Sequence, residues 1–316
     1  MPGPPSPAVS VIVPARDAEA TLPATLVALG AQAGAPEHEV LVVDNGSRDA
    51  TAALAEEAGA RVLRLPRGPG PGVARDAGAH AARAPALAFT DADCAPTPGW
   101  LAAGSAALHD AGLVQGAVEP DPSTPMGPFD RSLTVTGPGL FESANLFVRR
   151  EVHARVGGFG RGLEGPDAAP FGEDVLFGWR VRGQGIPVAF APDALVHHAV
   201  LPRTAWGYIA ERRRLGLFCA LVARAPGLRG ALCWHRLFLT RRQAEVWLAL
   251  AGAGAAVATR RPTPALAAAP YAHGLLALAR GQEGSTARLA AVHAAAHLVG
   301  TAALAMGSVR TRTLLL

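Results

Sequence analysis

The sequence predicts an α/β protein: a mostly parallel sheet flanked by helices, followed by a basic, alanine-rich helical region. Three observations carry this expectation. Short β-branched apolar runs alternate with helical patterns through the first 200 residues, the rhythm of parallel strands joined by right-handed crossovers. One of those runs, Ala86 to Cys94, stops on two aspartates with a single alanine between them. Charge is also unevenly spread. Residues 1–200 hold 14 arginines against 22 acids, a balance of −8, whereas 201–316 hold 15 arginines against 3 acids, a balance of +12. Such an asymmetry predicts two regions with different partners. The expected divisions are a disordered tail at 1–7, an α/β domain at 8–200 and a helical, basic region at 201–316.

At 316 residues the chain is long enough for one large domain or a domain with an appendage. Every one of its 29 basic residues is arginine, which reads as a composition bias before it reads as function. Cys94, Cys219 and Cys233 are an odd number without paired spacing. They predict neither a disulfide framework nor a zinc site, and therefore a reducing compartment. Met1 to Ala8 lacks both a charged n-region and an apolar core, so no signal peptide is expected there.

The elements follow in order. Ala8–Val13 is a buried strand closed by Pro14, and Leu22, Leu26 and Leu29 mark one face of a helix. Glu39–Val43 is a second strand ending on Asp44, after which Asn45-Gly46-Ser47 turns and Ser47 or Asp49 caps a helix through Ala58. Arg61–Leu65 is a third strand, Gly68–Gly72 a Gly/Pro loop, and Val73–Ala84 a helix. The fourth strand begins at Ala86, and Val188–Ala191 is a last one. The chain has no Gly-x-Gly-x-x-Gly, and the prolines of Gly68–Gly72 remove amides that a phosphate cradle needs, so a Rossmann dehydrogenase is not expected.

Ligands of open α/β sheets gather at the carboxyl ends of strands, where Asp91 and Asp93 fall. Residues two apart on a strand point the same way, so a turn there can aim both carboxylates at one point. Two hard oxygen ligands suit Mg²⁺ or Mn²⁺, with positions left over for phosphate oxygens.

Six segments then appear in an order that resembles the family 2 glycosyltransferases of the GT-A fold, over about residues 8–200. They are Val9–Pro14 (VSVIVP), Val42–Thr51 (VVDNGSRDAT), Ala74–Gly78 (ARDAG) and Thr90–Asp93 (TDAD). Ser143–Arg150 (SANLFVRR) follows with Val156–Phe159 (VGGF), and then Gly172–Asp174 (GED) with Trp179-Arg180. The resemblance implies a metal-dependent, inverting transferase acting on a nucleotide-diphosphate sugar of UDP, GDP or dTDP type. It implies donor contacts from Pro14, Asp44, Arg75, Asp91, Asn145 and Glu173, with Asp44 accepting from the base. Asp91 and Asp93 would hold Mn²⁺ or Mg²⁺ with one histidine, His197 or His198. Asp174 would be the general base toward the acceptor hydroxyl. Asn45 departs from the usual second acid beside Asp44. Trp179 either packs in the core or stacks a sugar face.

The basic region reads as an amphipathic helix over Thr204–Arg224 and three apolar stretches, Val246–Thr259, Pro264–Ala279 and Leu289–Met306. The first two are short of a membrane span, and the third carries His293 and His297 among its alanines. Basic helices of this kind predict peripheral contact with an anionic bilayer at the inner face of the cell membrane, the protein itself being cytoplasmic. Helical packing onto the catalytic domain is the alternative. No aromatic interleaving and no nucleic-acid motif is present, so no nucleic-acid partner is expected. The expected acceptor is a glycan or lipid-linked precursor. Two other classes compete: a nucleotidyltransferase, which Pro14-Ala15-Arg16-Asp17 disfavours for want of a Gly-rich loop, and a non-catalytic sugar-nucleotide binder.

Overall fold

The structure, a computed structural model, describes residues 7–66, 68, 70–164 and 170–316. Most of the expected tail, and parts of the loops at 68–72 and 160–172, lie outside the described residues. Among those described, the chain divides into two compact units. One runs to Pro125 and then takes in Ser132–Glu164 and the chain onward to Val200, while the other holds Met126–Arg131 and Leu201–Leu316.

In the first unit the elements are β1 (Val9–Ala15), α1 (Leu22–Gly30), β2 (His38–Asp44), α2 (Thr51–Glu57), β3 (Arg61–Arg64), α3 (Pro71–Ala81) and β4 (Ala86–Thr90). They continue as β5 (Cys94–Pro96), α4 (Trp100–Ala107), β6 (Leu113–Pro120), β7 (Asn145–Arg149) and α5 (Arg150–Arg155). A small ribbon, β8 (Leu163–Glu164) with β9 (Pro170–Phe171), precedes α6 (Glu173–Gly183) and β10 (Val188–His198). The large sheet has the order β3-β2-β1-β4-β7-β6-β10-β5. β1 to β4, β6 and β10 run one way, and β5 and β7 run against them. The mostly parallel expectation therefore holds, with β7 inserted antiparallel between β4 and β6.

Alternation along β1 explains the layers. Val9, Val11 and Val13 face a core with Leu22, Leu29, Trp100 and Phe147, while Ile12 faces one with Leu87, Phe89, Phe141 and Phe177. A strand buried on both faces reads as a continuous apolar run, which is why β1 and β4 were visible in sequence. The strand order reverses direction between β1 and β4, placing a crevice beyond the carboxyl ends of β1, β2 and β4.

In the second unit Thr204 caps α7 (Ala205–Glu211) by accepting from the Gly207 amide at 3.0 Å. The single helix expected over Thr204–Arg224 is interrupted by a 3₁₀ turn at Arg212–Gly216 before α8 (Leu217–Arg224). α9 (Gly227–Leu232), α10 (Arg241–Thr259), a second 3₁₀ turn (Thr263–Ala268), α11 (Ala269–Arg280) and α12 (Thr286–Thr311) follow. Among the described residues α12 alone is long and apolar enough to cross a membrane by length and composition. Its two histidines are engaged inside the unit. His293 lies between the Tyr208 hydroxyl at 3.2 Å and Gln282 at 2.8 Å, and His297 meets the Tyr271 hydroxyl at 3.1 Å. Burial, followed by neighbouring arginines, pushes the His297 pKa down to about 4, so that ring is neutral at pH 7.

Candidate active site

The crevice is lined first by two turns that brace each other. Asp44 ends β2, buried at 6% exposure, and accepts from the Ser47 amide at 2.9 Å, a side-chain bond across three residues that fixes the Asn-Gly-Ser loop. Ser47 accepts from the Asp17 amide at 3.0 Å, and Asp17 accepts from the Arg48 amide at 2.8 Å. The loops after β1 and β2 are thereby tied together. Neither Ser47 nor Asp49 caps α2 as expected: Ala50 holds the N-cap position without a side-chain cap bond, and Asp49, one residue earlier, accepts from the Thr51 amide at 3.1 Å. Asn45 is buried, with its side-chain oxygen lacking a hydrogen-bond partner. Pro14, half-buried near the end of β1, lies opposite Val43, one step before the Ala15–Asp44 pair.

Arg75 of α3 is the hub of the next layer. Its side chain is 5% exposed and donates to Asp91 at 2.6 Å and Glu173 at 3.2 Å, while its Nε has no partner. The guanidinium also sits over the Phe159 ring at 5.7 Å. The neighbouring Asp76 accepts from His153 at 3.0 Å and from the Phe159 and Gly160 amides, both at 2.8 Å. Although burial works against its charge, these bonds hold its pKa below the usual carboxylate value. Asp76 and His153 were not singled out in sequence; the only signal was adjacency to Arg75 and to the VGGF segment that Asp76 pins.

Glu173 and Asp174 open α6. Gly172 enters that helix at φ +69, a left-handed conformation that glycine adopts without steric cost. Gly72 of α3 passes so close that an added Cβ would lie 2.8 Å from Glu173 Cγ, so the arginine-bearing helix seats directly on the acid-bearing turn. Asp174 accepts from the Val175 amide at 2.8 Å and, more weakly, from the Ser143 amide at 3.4 Å. Burial first, and then the adjacent Glu173 charge, push its pKa up to about 7, with Arg75 opposing. Glu142 adds to that negative field, and its own pKa is raised by burial.

On the other side of the crevice β10 runs past Ala191 through an irregularity in its pairing with β6 and ends at His198. Register decides between the two histidines. His198 pairs with Cys94 and His197 with Ala95, and it is His198 Nε2 that lies 3.7 Å from Asp93 Oδ2. The His198 Nδ1 faces the Ala199 carbonyl at 2.7 Å. A carbonyl only accepts, so Nδ1 donates there and Nε2 is the nitrogen left facing Asp93, the orientation a metal-ligating histidine takes. A carboxylate and an imidazole converging in this way fit a divalent cation that takes oxygen and nitrogen donors. Asp91 is held by Arg75 instead, outside the Asp93–Cys94–His198 group.

Two expectations meet their physical limits here. Asn145 exposes no surface, and its carboxamide is used up internally. The oxygen accepts from Trp100 Nε1 at 2.8 Å, and the nitrogen donates to Ala117 and Ala194 carbonyls at 2.7 and 2.6 Å. This corrects the expectation of a donor-sugar contact from Asn145: the residue fastens β7 to its neighbours. Trp179 donates to the Gly139 carbonyl at 3.0 Å, with Arg182 stacked over it at 4.9 Å. Its packing role is the one the structure displays.

A mostly parallel sheet with β7 reversed inside it, and acids gathered at the switch point, is the GT-A fold. A mannosyltransferase from Pyrobaculum calidifontis, solved in complex with GDP-Man and Mn²⁺, shares it at a TM-score of 0.57 and 20% identity, over 98% of this chain and 88% of that one. Glucosyl-3-phosphoglycerate synthase from Mycobacterium tuberculosis, solved with phosphoglyceric acid, shares it at 0.50 and 20% identity, over 70% of this chain and 80% of that one. The family model for glycosyl transferase family 2 matches residues 10–158. Glycosyltransferase AglE of Haloferax volcanii is 30% identical over 213 residues, 62% of this chain and 68% of that protein. Uncharacterized glycosyltransferases of Mycobacterium bovis and Mycobacterium tuberculosis are 45% identical over 86 residues, 27% of this chain and only 37% of theirs. The chain belongs to glycosyl transferase family 2, and the nucleotidyltransferase alternative falls.

Proposed function

We propose that the protein transfers a sugar from a nucleotide-diphosphate sugar to an acceptor hydroxyl with inversion, and that Asp174 is the base. The observation that carries this is the state of Asp174: a half-buried carboxyl on a helix's first turn, with its pKa raised to about 7. A base poised there combines a sizeable deprotonated fraction with useful basicity at neutral pH. Asp174 takes the proton as the acceptor oxygen bonds to the anomeric carbon and the bond to the diphosphate breaks. One base opposite the leaving group permits direct displacement. Asp44 accepts from the base of the nucleotide beside Pro14, and the unpartnered Asn45 oxygen is a second acceptor at the same turn. Arg75 holds Asp91 and Glu173 in place at the donor side.

Asp93 and His198 would hold Mn²⁺ or Mg²⁺, with Asp91 adjoining; such an ion neutralises the departing diphosphate. The mannosyltransferase neighbour was solved with GDP-Man and Mn²⁺, which supports a divalent cation beside the donor. The acceptor is proposed to be a glycan or lipid-linked precursor met at the inner face of the cell membrane. The second unit supports this with an excess of arginine and with exposed apolar side chains on α10 and α12, among them Leu250, Val257, Met306 and Val309.

The test is a thermal-shift screen of the full chain with UDP-, GDP- and dTDP-sugars, with and without Mn²⁺. Binding to the native state raises stability in proportion to affinity. One donor class should shift the midpoint, only with metal present, and should be consumed on turnover. A shift without turnover on any acceptor would favour the non-catalytic binder.

A further inference from the structure

We propose that Cys94 makes the Asp93–His198 pair a three-donor site that captures a soft divalent cation, Zn²⁺ foremost, in competition with the hard cation. This rests on the reading of Asp93 and His198 as metal ligands. Spacing in sequence gave no hint of it, because the three cysteines are scattered and the histidine lies about a hundred residues from Cys94. The fold supplies the juxtaposition. β5 and β10 are antiparallel with Cys94 directly opposite His198, and opposed residues of such a pair project from the same face.

The geometry fits zinc. One donor atom each from Asp93, Cys94 and His198 lies within 4.8 Å of the other two. Asp93 Oδ2 is 3.7 Å from His198 Nε2, and Cys94 Sγ is 3.9 Å from Asp93 Oδ1. Tetrahedral Zn²⁺, with bonds of about 2.0 Å to N or O and about 2.3 Å to S, spaces its donors roughly 3.3–3.8 Å apart. The three donors stand wider apart than tetrahedral zinc holds them and would draw together on binding, with water completing the fourth position. The Nδ1–H bond to the Ala199 carbonyl orients the imidazole as ligating histidines are oriented. Mn²⁺ and Mg²⁺ have little use for sulfur, whereas zinc does, so the thiol biases the same pocket toward the softer ion. Capture forms a Zn–S bond, breaks the S–H bond and releases that proton to water. A cell's free zinc would then compete with the hard ion for the donor-sugar site.

Co²⁺ serves as the spectroscopic probe on the metal-free full chain. The expected result is a near-ultraviolet thiolate-to-cobalt charge-transfer band that Mn²⁺ abolishes by competition and that disappears in Cys94→Ser, Cys94→Ala and His198→Ala. In both Cys94 variants Zn²⁺ affinity should fall by at least roughly 10-fold, the least that losing even an outer-shell partner costs, while Mn²⁺ affinity stays at the wild-type value because that ion has little use for sulfur. Co²⁺ that binds, is displaced by Mn²⁺ and shows no such band overturns the role of Cys94 and leaves the Asp93–His198 site standing. A band that persists in the Cys94 variants assigns the thiolate to Cys219 or Cys233 and also overturns it. Absence of both Co²⁺ and Mn²⁺ binding overturns the metal-site reading itself.

Discussion

Replacing Asp174 by asparagine keeps the shape of the side chain and removes its charge, so it separates what the carboxylate does from where it sits. The folded carboxyl titrates near 7, against 3.8 for the ordinary group. Between those values the native protein holds a proton that the unfolded chain has released. Stability therefore falls as pH rises through this window and is flat above it. At 1.36 kcal/mol per unit, the full penalty by pH 8 is at most about 4 kcal/mol. The asparagine variant escapes the penalty. It turns an amino group toward the Ser143 amide, which costs about 1 kcal/mol. Asp174→Asn should therefore be more stable than the wild type by about 1–3 kcal/mol at pH 8 and lose that advantage at pH 4. Its turnover should fall by about 10²–10⁴-fold, and the acidic limb of the kcat profile, centred near 7 in the wild type, should vanish. Urea denaturation at pH 4, 6 and 8 reads the first part, and single-turnover transfer reads the second. A stability difference that does not change with pH would refute the raised pKa, and a variant with normal turnover would remove Asp174 from the mechanism.

EDTA should abolish donor binding in calorimetry, and Asp93→Asn or His198→Ala should weaken Mn²⁺ binding with little loss of fold; nucleotide affinity indifferent to EDTA would count heavily against the metal. Arg75→Met should cost about 3–5 kcal/mol in urea denaturation, because it strands Glu173 in a buried site and leaves Asp91 unpaired. Asn145→Ala should cost stability, about 1–3 kcal/mol for the stranded partners, without changing the KM for donor; a large KM effect would restore Asn145 to the donor site. Sedimentation with anionic vesicles should be strong at low salt and weak at high salt, each surface arginine contributing about 1 kcal/mol. Equal sedimentation with neutral vesicles would sink the electrostatic account.

The strands that were legible in sequence were those buried on both faces and built of β-branched residues, such as Val9–Val13. β6 was not legible because Gln115 and Gly116 interrupt its apolar run, yet both are fully buried, the amide donating to the Asn145 carbonyl at 2.8 Å. β7 was recognised only as part of a motif, since nothing local says that it runs against β4. The acids at strand ends were readable because a carboxylate at the end of an apolar run is conspicuous. Their partners were not readable. Glu173 is 98 residues from Arg75, and the choice of His198 over His197 turns on one step of register in β10, set by an irregularity at Pro192–Ala194. Cys94 is in sequence only one of three cysteines without zinc spacing, and only the opposing strand makes it a neighbour of His198.

Burial is the first cause of the raised pKa of Asp174, and the shift survives because of how one cation is divided among several acids. Arg75 has two Nη groups, and the fold spends both elsewhere: one on Asp91 across the crevice, the other on Glu173 next door. Its Nε is left without a partner. Among the described residues Asp174 consequently has no side-chain donor in hydrogen-bond range, only backbone amides, while Glu142 and the ion-paired Glu173 both press on it. Had the guanidinium bonded Asp174 instead, the usual effect of a contacting arginine would lower that pKa by about 1–3 units and leave a poor base. The two-residue turn Glu173-Asp174 thus works by unequal treatment. The first acid binds the arginine and fixes the helix start, and the second, denied that partner, is left basic enough to take a proton at neutral pH.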